Sequence, residues 1–489
     1  MNLGEAELGN IRGALAAIPG DVAHDAVGAY APKLHEMYAP ETHAAALDST
    51  TPIVLGARGT GKSFWAGVLG DAETRKAANL AYPRLGLANL DVGFGFTSLG
   101  GPGGISVDAL RSCVPEGAET EASARAFWWA TVLHAAARAS GTGGASLSSL
   151  APSAENWETR EQLLGDHEAR LRESGRTLLI IYDALDTVAV TWPRRRLLTQ
   201  TLLEVVWGMR AYSSIRLKLF LRPDQIEDDE LHLIELPKLR TGAVRLQWSA
   251  PDLYGLFYAR LALAPAPDAS AAFSKILASE GVSTVNQKDI LARRWRPGND
   301  SDLQRRVMAK LAGQFMAEGA FGYKKGNTYD WPFAHLADAF GEVTPRSFLG
   351  LLIAAAKYGP APADRVITPD GIRHGLRAAS KTRVDQLHLE FAWIKAVLAP
   401  LAGLLLPQEE GEVFHAWRRA KTLTSLRADA ESNGYLPPFP MNTKEAERDL
   451  FRALEGIGVM FRRKDGRIDM PDLFRVAAKL LKKGGTAPL

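Results

Sequence analysis

Eight consecutive residues, Gly56-Ala57-Arg58-Gly59-Thr60-Gly61-Lys62-Ser63, set three glycines ahead of a lysine and a hydroxyl. Glycines at this spacing let the backbone curl, so that successive N–H groups and the first turn of a following helix converge on one anion. A lysine placed there reaches the outer oxygens of a nucleoside triphosphate, and the hydroxyl supplies a ligand for Mg²⁺. The pattern needs a strand before it and a helix after it. Thr51 to Leu55 is a short apolar run stopped by glycine, and a helical stretch carrying Phe64 follows, so Phe64 joins the loop set. The expected ligands are ATP and Mg²⁺.

Such a loop needs a carboxylate on the metal side and often a second one to orient an attacking water. Thr177-Leu178-Leu179-Ile180-Ile181-Tyr182-Asp183 delivers Asp183 at the end of an apolar strand, with Asp186 three residues on. Asp183 is assigned to Mg²⁺ and Asp186 to water activation, against a role for Asp186 in capping the next turn. The long separation between Ser63 and Asp183 leaves room for an extra strand and helix. It also holds an insertion, Asn89 to Gly104, that reads either as an ordered hairpin or as a flexible loop over the site. A further strand, Leu217 to Leu221, ends at Arg222. This arginine is a candidate charge-stabilising group near the γ-phosphate, or else a structural partner of Asp224 or Asp228. Arg346 follows Thr344 and Pro345, an N-cap and first-turn signal, and is a candidate contact from the lid side.

The elements around these residues alternate. Strand-like runs at Thr177 to Tyr182, Leu217 to Leu221 and Ala243 to Trp248 are separated by helical patterns at Ala122 to Ala139, Arg196 to Tyr212 and Asp252 to Leu263. The fold class expected is α/β: a P-loop parallel-sheet core with a helical lid and a C-terminal winged-helix-like domain. The Pro/Ala-rich stretch Ala264 to Ala269 suggests a boundary, giving segments 1–48, 49–264, 265–412 and 413–489. In the last segment, Lys444 to Glu455 reads as a helix. Val459 to Arg463 and Arg467 to Met470 read as strands of a wing, and Leu473 to Lys482 as a closing helix.

Composition is that of a folded globular chain, with 46% hydrophobic and 23% charged residues among 489. One cysteine, Cys113, excludes a disulfide framework and a cysteine metal site and fits a cytoplasmic setting. No apolar stretch approaches the length of a membrane span, and the start lacks a signal-peptide pattern. The overall charge of +3 is too mild to imply nucleic acid, but residues 413–489 carry 15 Lys and Arg against 9 Asp and Glu. The wing set Arg462, Arg463, Lys464 and Arg467 would suit DNA phosphates, so DNA is a candidate partner. No guanine-reading N/T-K-x-D, LSGGQ-like or H-E-x-x-H segment occurs.

The order of the phosphate loop, the strand ending in Tyr182-Asp183-Ala184-Leu185-Asp186, then Leu219-Phe220-Leu221-Arg222-Pro223-Asp224 and later Thr344-Pro345-Arg346-Ser347-Phe348 resembles the AAA+ and STAND branches of P-loop ATPases. The resemblance implies Mg²⁺-dependent ATP hydrolysis, with Asp183 as metal carboxylate, Arg222 at a first-sensor and Arg346 at a second-sensor position. Two departures stand out: Thr187 where many members carry another acid, and an arginine where first sensors are commonly Asn or Thr. The combination also looks similar to bacterial P-loop ATPases of poorly defined role, some of which sit in phage-defence gene clusters. The expected function is a nucleotide-driven switch or motor in defence or signalling, with a protein effector and a homo-oligomer as candidate partners. The alternative is a DNA-associated loader or remodeller that uses the basic winged helix.

Overall fold

Strands that stay buried on both faces form the centre of the unit that carries the Gly56–Ser63 loop. The computed structural model describes residues 3–19, 32–100, 103–189, 191–227, 231–282, 286–435, 437–439 and 444–488. Backbone packing divides the chain into one unit of Asp21–Gln247 with Leu291–Arg293, and a second of Met1–Gly20, Trp248–Ile290 and Arg294–Leu489.

In the first unit, β1 (Ile53–Leu55), β2 (Leu90–Phe96), β3 (Thr177–Tyr182), β4 (Ile215–Leu221) and β5 (Val244–Arg245) make an all-parallel sheet in the order β2-β3-β4-β1-β5. A parallel sheet must be covered on both faces, which is why its strands read as unbroken apolar runs. Ile53, Leu55, Ile180 and Tyr182 join Trp128 and Leu202 in one core layer, while Val54, Leu179, Ile181 and Phe220 join Trp65 and Leu69 in the other. Each such side chain contributes about 1.5–3 kcal/mol by leaving water. Helices Glu121–Ala139 and Trp192–Gly208 supply the first layer, and the helix Lys62–Gly70 supplies the second. The α/β parallel-sheet class read from the sequence is the class observed, with β4 inserted between the loop strand β1 and the carboxylate strand β3.

The segment Asn89 to Gly104 departs from both readings, hairpin and flexible loop, in its first half, where Leu90–Phe96 is the edge strand β2, while residues 101 and 102 lie outside the described residues. Its glycines hide the strand pattern, and they are there for close packing. A Cβ on Gly95 would overlap the Tyr182 ring, and one on Gly93 would press on Ala135 at 3.3 Å. The Tyr182 hydroxyl in turn pairs with Thr131 Oγ1 at 2.8 Å.

A buried lysine ties the lead-in of β1 to its neighbour. Lys218 on β4 has no solvent exposure, and its Nζ donates to the carbonyls of Ala46 (2.8 Å), Asp48 (2.8 Å) and Thr51 (2.7 Å). Burial pulls its pKa down to about 7, while the Asp48 carboxylate acts in the opposite sense.

The second unit is mainly helical around Tyr254, Tyr258, Tyr329 and Phe348, with the Gln304 side chain accepting from Tyr329 Oη at 2.6 Å and donating to Pro251 O at 2.9 Å. Near its C-terminus, β6 (Leu405–Leu406) runs parallel to β9 (Leu481–Lys482), and β7 (Phe461–Arg462) pairs antiparallel with β8 (Ile468–Asp469). The two strands expected around Lys464-Asp465-Gly466 and the helix Ala446–Gly456 are therefore present. The closing helix expected over Leu473 to Lys482 is not: a four-residue helix, Asp472–Arg475, gives way to a turn and to β9. The cause is Arg475, fully buried, which salt-bridges Asp472 (2.6 Å) and donates to Leu480 O (2.9 Å) and Thr486 O (2.9 Å), drawing the chain around itself. Lys479, at φ +59°, ends any helical continuation. Among the described residues, no helix is long and apolar enough to cross a membrane.

Candidate nucleotide-binding site

All the parallel strands point their C-terminal ends to one edge of the sheet, and Gly56, Asp183 and Arg222 each follow a strand at that edge. This is where α/β sheets bind ligands. The Gly56 N–H still pairs with Leu221 O across the β1/β4 boundary at 3.1 Å. The chain then turns through Gly59 (φ +86°) and Gly61 (φ +102°), a left-handed backbone that glycine adopts without strain. Helix Lys62–Gly70 starts there, and no side chain caps it. Its N-terminal dipole and first N–H groups therefore face the loop.

Space fixes Gly56, since a Cβ there would overlap the Thr60 hydroxyl, which donates to Ala57 O at 2.9 Å. Ala57, Arg58 and Gly59 form the half-exposed crest. Lys62 Nζ donates to Gly56 O (2.6 Å) and Ala57 O (3.1 Å), so the ammonium lies over the loop it belongs to. The Ser63 hydroxyl acts on the Asp183 carboxyl, so the helix start and the end of β3 come together here. Phe64 instead packs edge-on to Trp65, ring centres 5.6 Å apart, and leans on the second core layer.

Asp183 is buried, with 5% of its surface exposed, and its backbone N–H pairs with Phe96 O at 3.0 Å. Burial pushes its carboxyl up from the ordinary range. The Ser63 hydroxyl, the Ala184 N–H and the Lys62 charge pull it down, and the neighbouring Asp186 adds to the rise. Ala184 sits at φ +55°, swinging the chain into the short 3₁₀ turn Leu185–Thr187 that carries Asp186. From there the polar contacts continue to Arg222, whose guanidinium lies 3.8 Å from Asp186 and grips Asp224 with two hydrogen bonds, 3.0 and 2.6 Å. Of the partners expected for Arg222, Asp224 is in contact, while Asp228 lies outside the described residues.

No protein-family model matches the chain, and no curated protein sequence does. Among solved structures, the chain is similar to the Aeropyrum pernix ORC2 protein in its ADPNP–ADP complexes. The two are 13% identical, with 90% of this chain and 91% of that one covered and a TM-score of 0.30. At that score the fold and the site rest on the strand order and contacts described above.

Other predicted residues belong to the second unit. Arg346 lies in the second unit, on the first turn of helix Pro345–Lys357, where Thr344 caps the helix by accepting from Ser347 N at 3.2 Å. The wing arginines are largely neutralised within their own unit. Arg462 pairs with Glu410, Arg463 lies 3.7 Å from Asp465 and 3.6 Å from Asp469, and Arg467 binds Asp465 at 2.7 Å.

Two features escaped the sequence reading. Arg195, from the helix beginning Trp192-Pro193-Arg194-Arg195-Arg196, lies in the field of Arg222, Asp224 and Asp186, so two cations and two acids meet there. Three arginines at the positive end of a helix oppose its dipole, and that conflict was the available signal of specific partners. Arg194, the first of them, donates to Val114 O at 2.5 Å. The second feature is His43, fully buried. Its Nδ1 accepts from the indole N–H of Trp65 at 3.0 Å and its Nε2 meets Gln247 O at 3.0 Å. Indole nitrogen only donates, so the ring is neutral with its proton on Nε2. Nothing local in sequence announces a contact across 204 residues.

Proposed function

We propose that this chain binds and hydrolyses ATP with Mg²⁺ at the loop Gly56 to Ser63, working as a nucleotide-driven switch or motor of the AAA+/STAND kind. The contact between Ser63 and Asp183 is the observation that carries this reading. It sets a hydroxyl and a buried carboxylate side by side beneath a loop with an uncapped helix start and a lysine. These are hard oxygen donors, as Mg²⁺ prefers, and Mg²⁺ usually takes one or two protein ligands and fills the rest from phosphate and water. Among the described residues no group of three or more His, Cys, Asp or Glu could hold a metal. When bound, the ion would neutralise charge on the phosphates.

The chain's own groups do the rest. The loop N–H groups and Lys62 hold the phosphates, and Lys62 exchanges its two loop carbonyls for phosphate oxygens. Asp186 orients the attacking water and accepts its proton, and Arg222 holds Asp186 in place from 3.8 Å. In this reading Arg346 serves as a lid-side contact, and segments 265–412 and 413–489 carry the response to an effector or to a second copy.

Phosphate release from the full chain with ATP and Mg²⁺, alongside Lys62→Ala, tests the proposal. Turnover abolished by that substitution is expected. Turnover that survives it would move the reaction to another site. Retained ATP with no phosphate release in either protein would leave a nucleotide-gated switch and remove the motor.

A further inference from the structure

In the second unit, residues 314–328 leave the body as a closed hairpin. Phe315 and Asn327 form an antiparallel bridge, Met316 N pairs with Gly326 O at 2.9 Å, and Thr328 N pairs with Gln314 O at 3.1 Å. Thr328 Oγ1 ties the base to Gly313 O at 2.5 Å. The tip is a 3₁₀ turn, Gly322–Lys325, and it carries an arrangement that folding alone does not explain. Phe321 is 68% exposed and Tyr323 57% exposed, and Lys324 and Lys325 are exposed between and beside them. The Lys324 ammonium stands 4.7 Å from the centre of the Phe321 ring. Neither lysine has a carboxylate partner among the described residues, whereas the one acid of the hairpin, Glu318, is engaged by Arg365 at 3.3 Å.

Two exposed aromatic faces are costly to leave in water, and two unpaired cations beside them attract an anion. A polyanion that also offers flat apolar faces meets both demands at once. We propose that this hairpin tip binds single-stranded nucleic acid, with bases stacking on Phe321 and Tyr323 and backbone phosphates meeting Lys324 and Lys325. Unpaired strands are favoured over duplex because base faces are accessible only when unstacked, and stacking on aromatic side chains is indifferent to sequence. This site is separate from the wing, whose arginines are taken up by acids.

The test is fluorescence anisotropy of fluorescein-labelled dT20, U20 and a 20-base-pair duplex with the full chain, titrated between about 50 and 200 mM KCl. The two single strands separate DNA from RNA as the source of the same chemistry. Phe321→Ala with Tyr323→Ala is expected to weaken single-strand binding by about 10-fold or more. Lys324→Ala with Lys325→Ala is expected to reduce the slope of log affinity against log salt by about 1.4, for two phosphate contacts on a single strand. Phe321→Leu with Tyr323→Leu keeps apolar area but removes the ring faces, and it should lose binding as the alanine pair does. Single-strand binding unchanged in the alanine pair, or duplex bound as well as single strand, would overturn the proposal. So would a leucine pair that binds normally, or ring-dependent flotation on phosphatidylcholine–phosphatidylserine vesicles without oligonucleotide binding, which would make the tip a membrane contact.

Discussion

Acidification from pH 7 to pH 5 should weaken the nucleotide-loop unit through His43. Protonating its Nδ1 would turn an N–H toward the N–H of Trp65, and burial has already pushed its pKa down to about 4. The unfolded chain takes up that proton near the ordinary value of 6.5, and the folded one refuses it until about 4. Stability is therefore fully present above about 6.5 and drains away as pH falls toward 4. Across the whole interval the loss is about 3 kcal/mol, and about 2 kcal/mol of it has gone by pH 5. Urea unfolding followed by tryptophan fluorescence at the two pH values, for the wild type and His43→Gln, isolates the term. Glutamine can accept from Trp65 and donate to Gln247 O without titrating, and all carboxylates contribute equally to both proteins. The wild type should lose about 2 kcal/mol more than the variant. Equal losses would refute the tautomer and the burial argument together.

Asp183→Asn should raise the melting temperature at pH 7 while cutting Mg²⁺-dependent phosphate release by roughly 100-fold. A carboxyl whose pKa is raised in the folded state gains stability on acidification and loses it as pH rises, so the advantage of the variant over the wild type should shrink toward low pH. Asp224→Ala strips Arg222 of its two-pronged partner. It should cost about 3 kcal/mol in urea unfolding and lower turnover roughly 10-fold, because Arg222 then closes on Asp186. Gly95→Ala should cost about 1–3 kcal/mol in the same unfolding assay, since its methyl group meets the Tyr182 ring; an unchanged midpoint would mean that β2 is free to move aside.

The loop and the two inner strands were legible because their signals are local: glycine spacing in one case, and unbroken apolar runs ending in Asp183 or Arg222 in the other. Strand β2 was not, because Gly93 and Gly95 answer to Tyr182 and Ala135, which arrive from distant parts of the chain. The closing helix failed for a related reason: the apolar spacing of Leu473 to Lys482 is helical, but Arg475 wraps the backbone about its guanidinium. Charge counting over residues 413–489 does not reveal that Glu410, Asp465 and Asp469 pair with Arg462, Arg463 and Arg467.

Lys218 and Arg222 lie four residues apart along one strand and its exit, roughly 13 Å when extended. The lysine pegs the approach to β1 through three carbonyls, and Leu219 N adds a fourth tie to Pro52 O at 2.7 Å. The two central strands are thus riveted at the end remote from the Gly56–Ser63 loop. In the function proposed above, nucleotide-driven movement in this unit would arise in the loop and turns past the strand ends, with the pegged ends as its fulcrum, and not by strands sliding over one another.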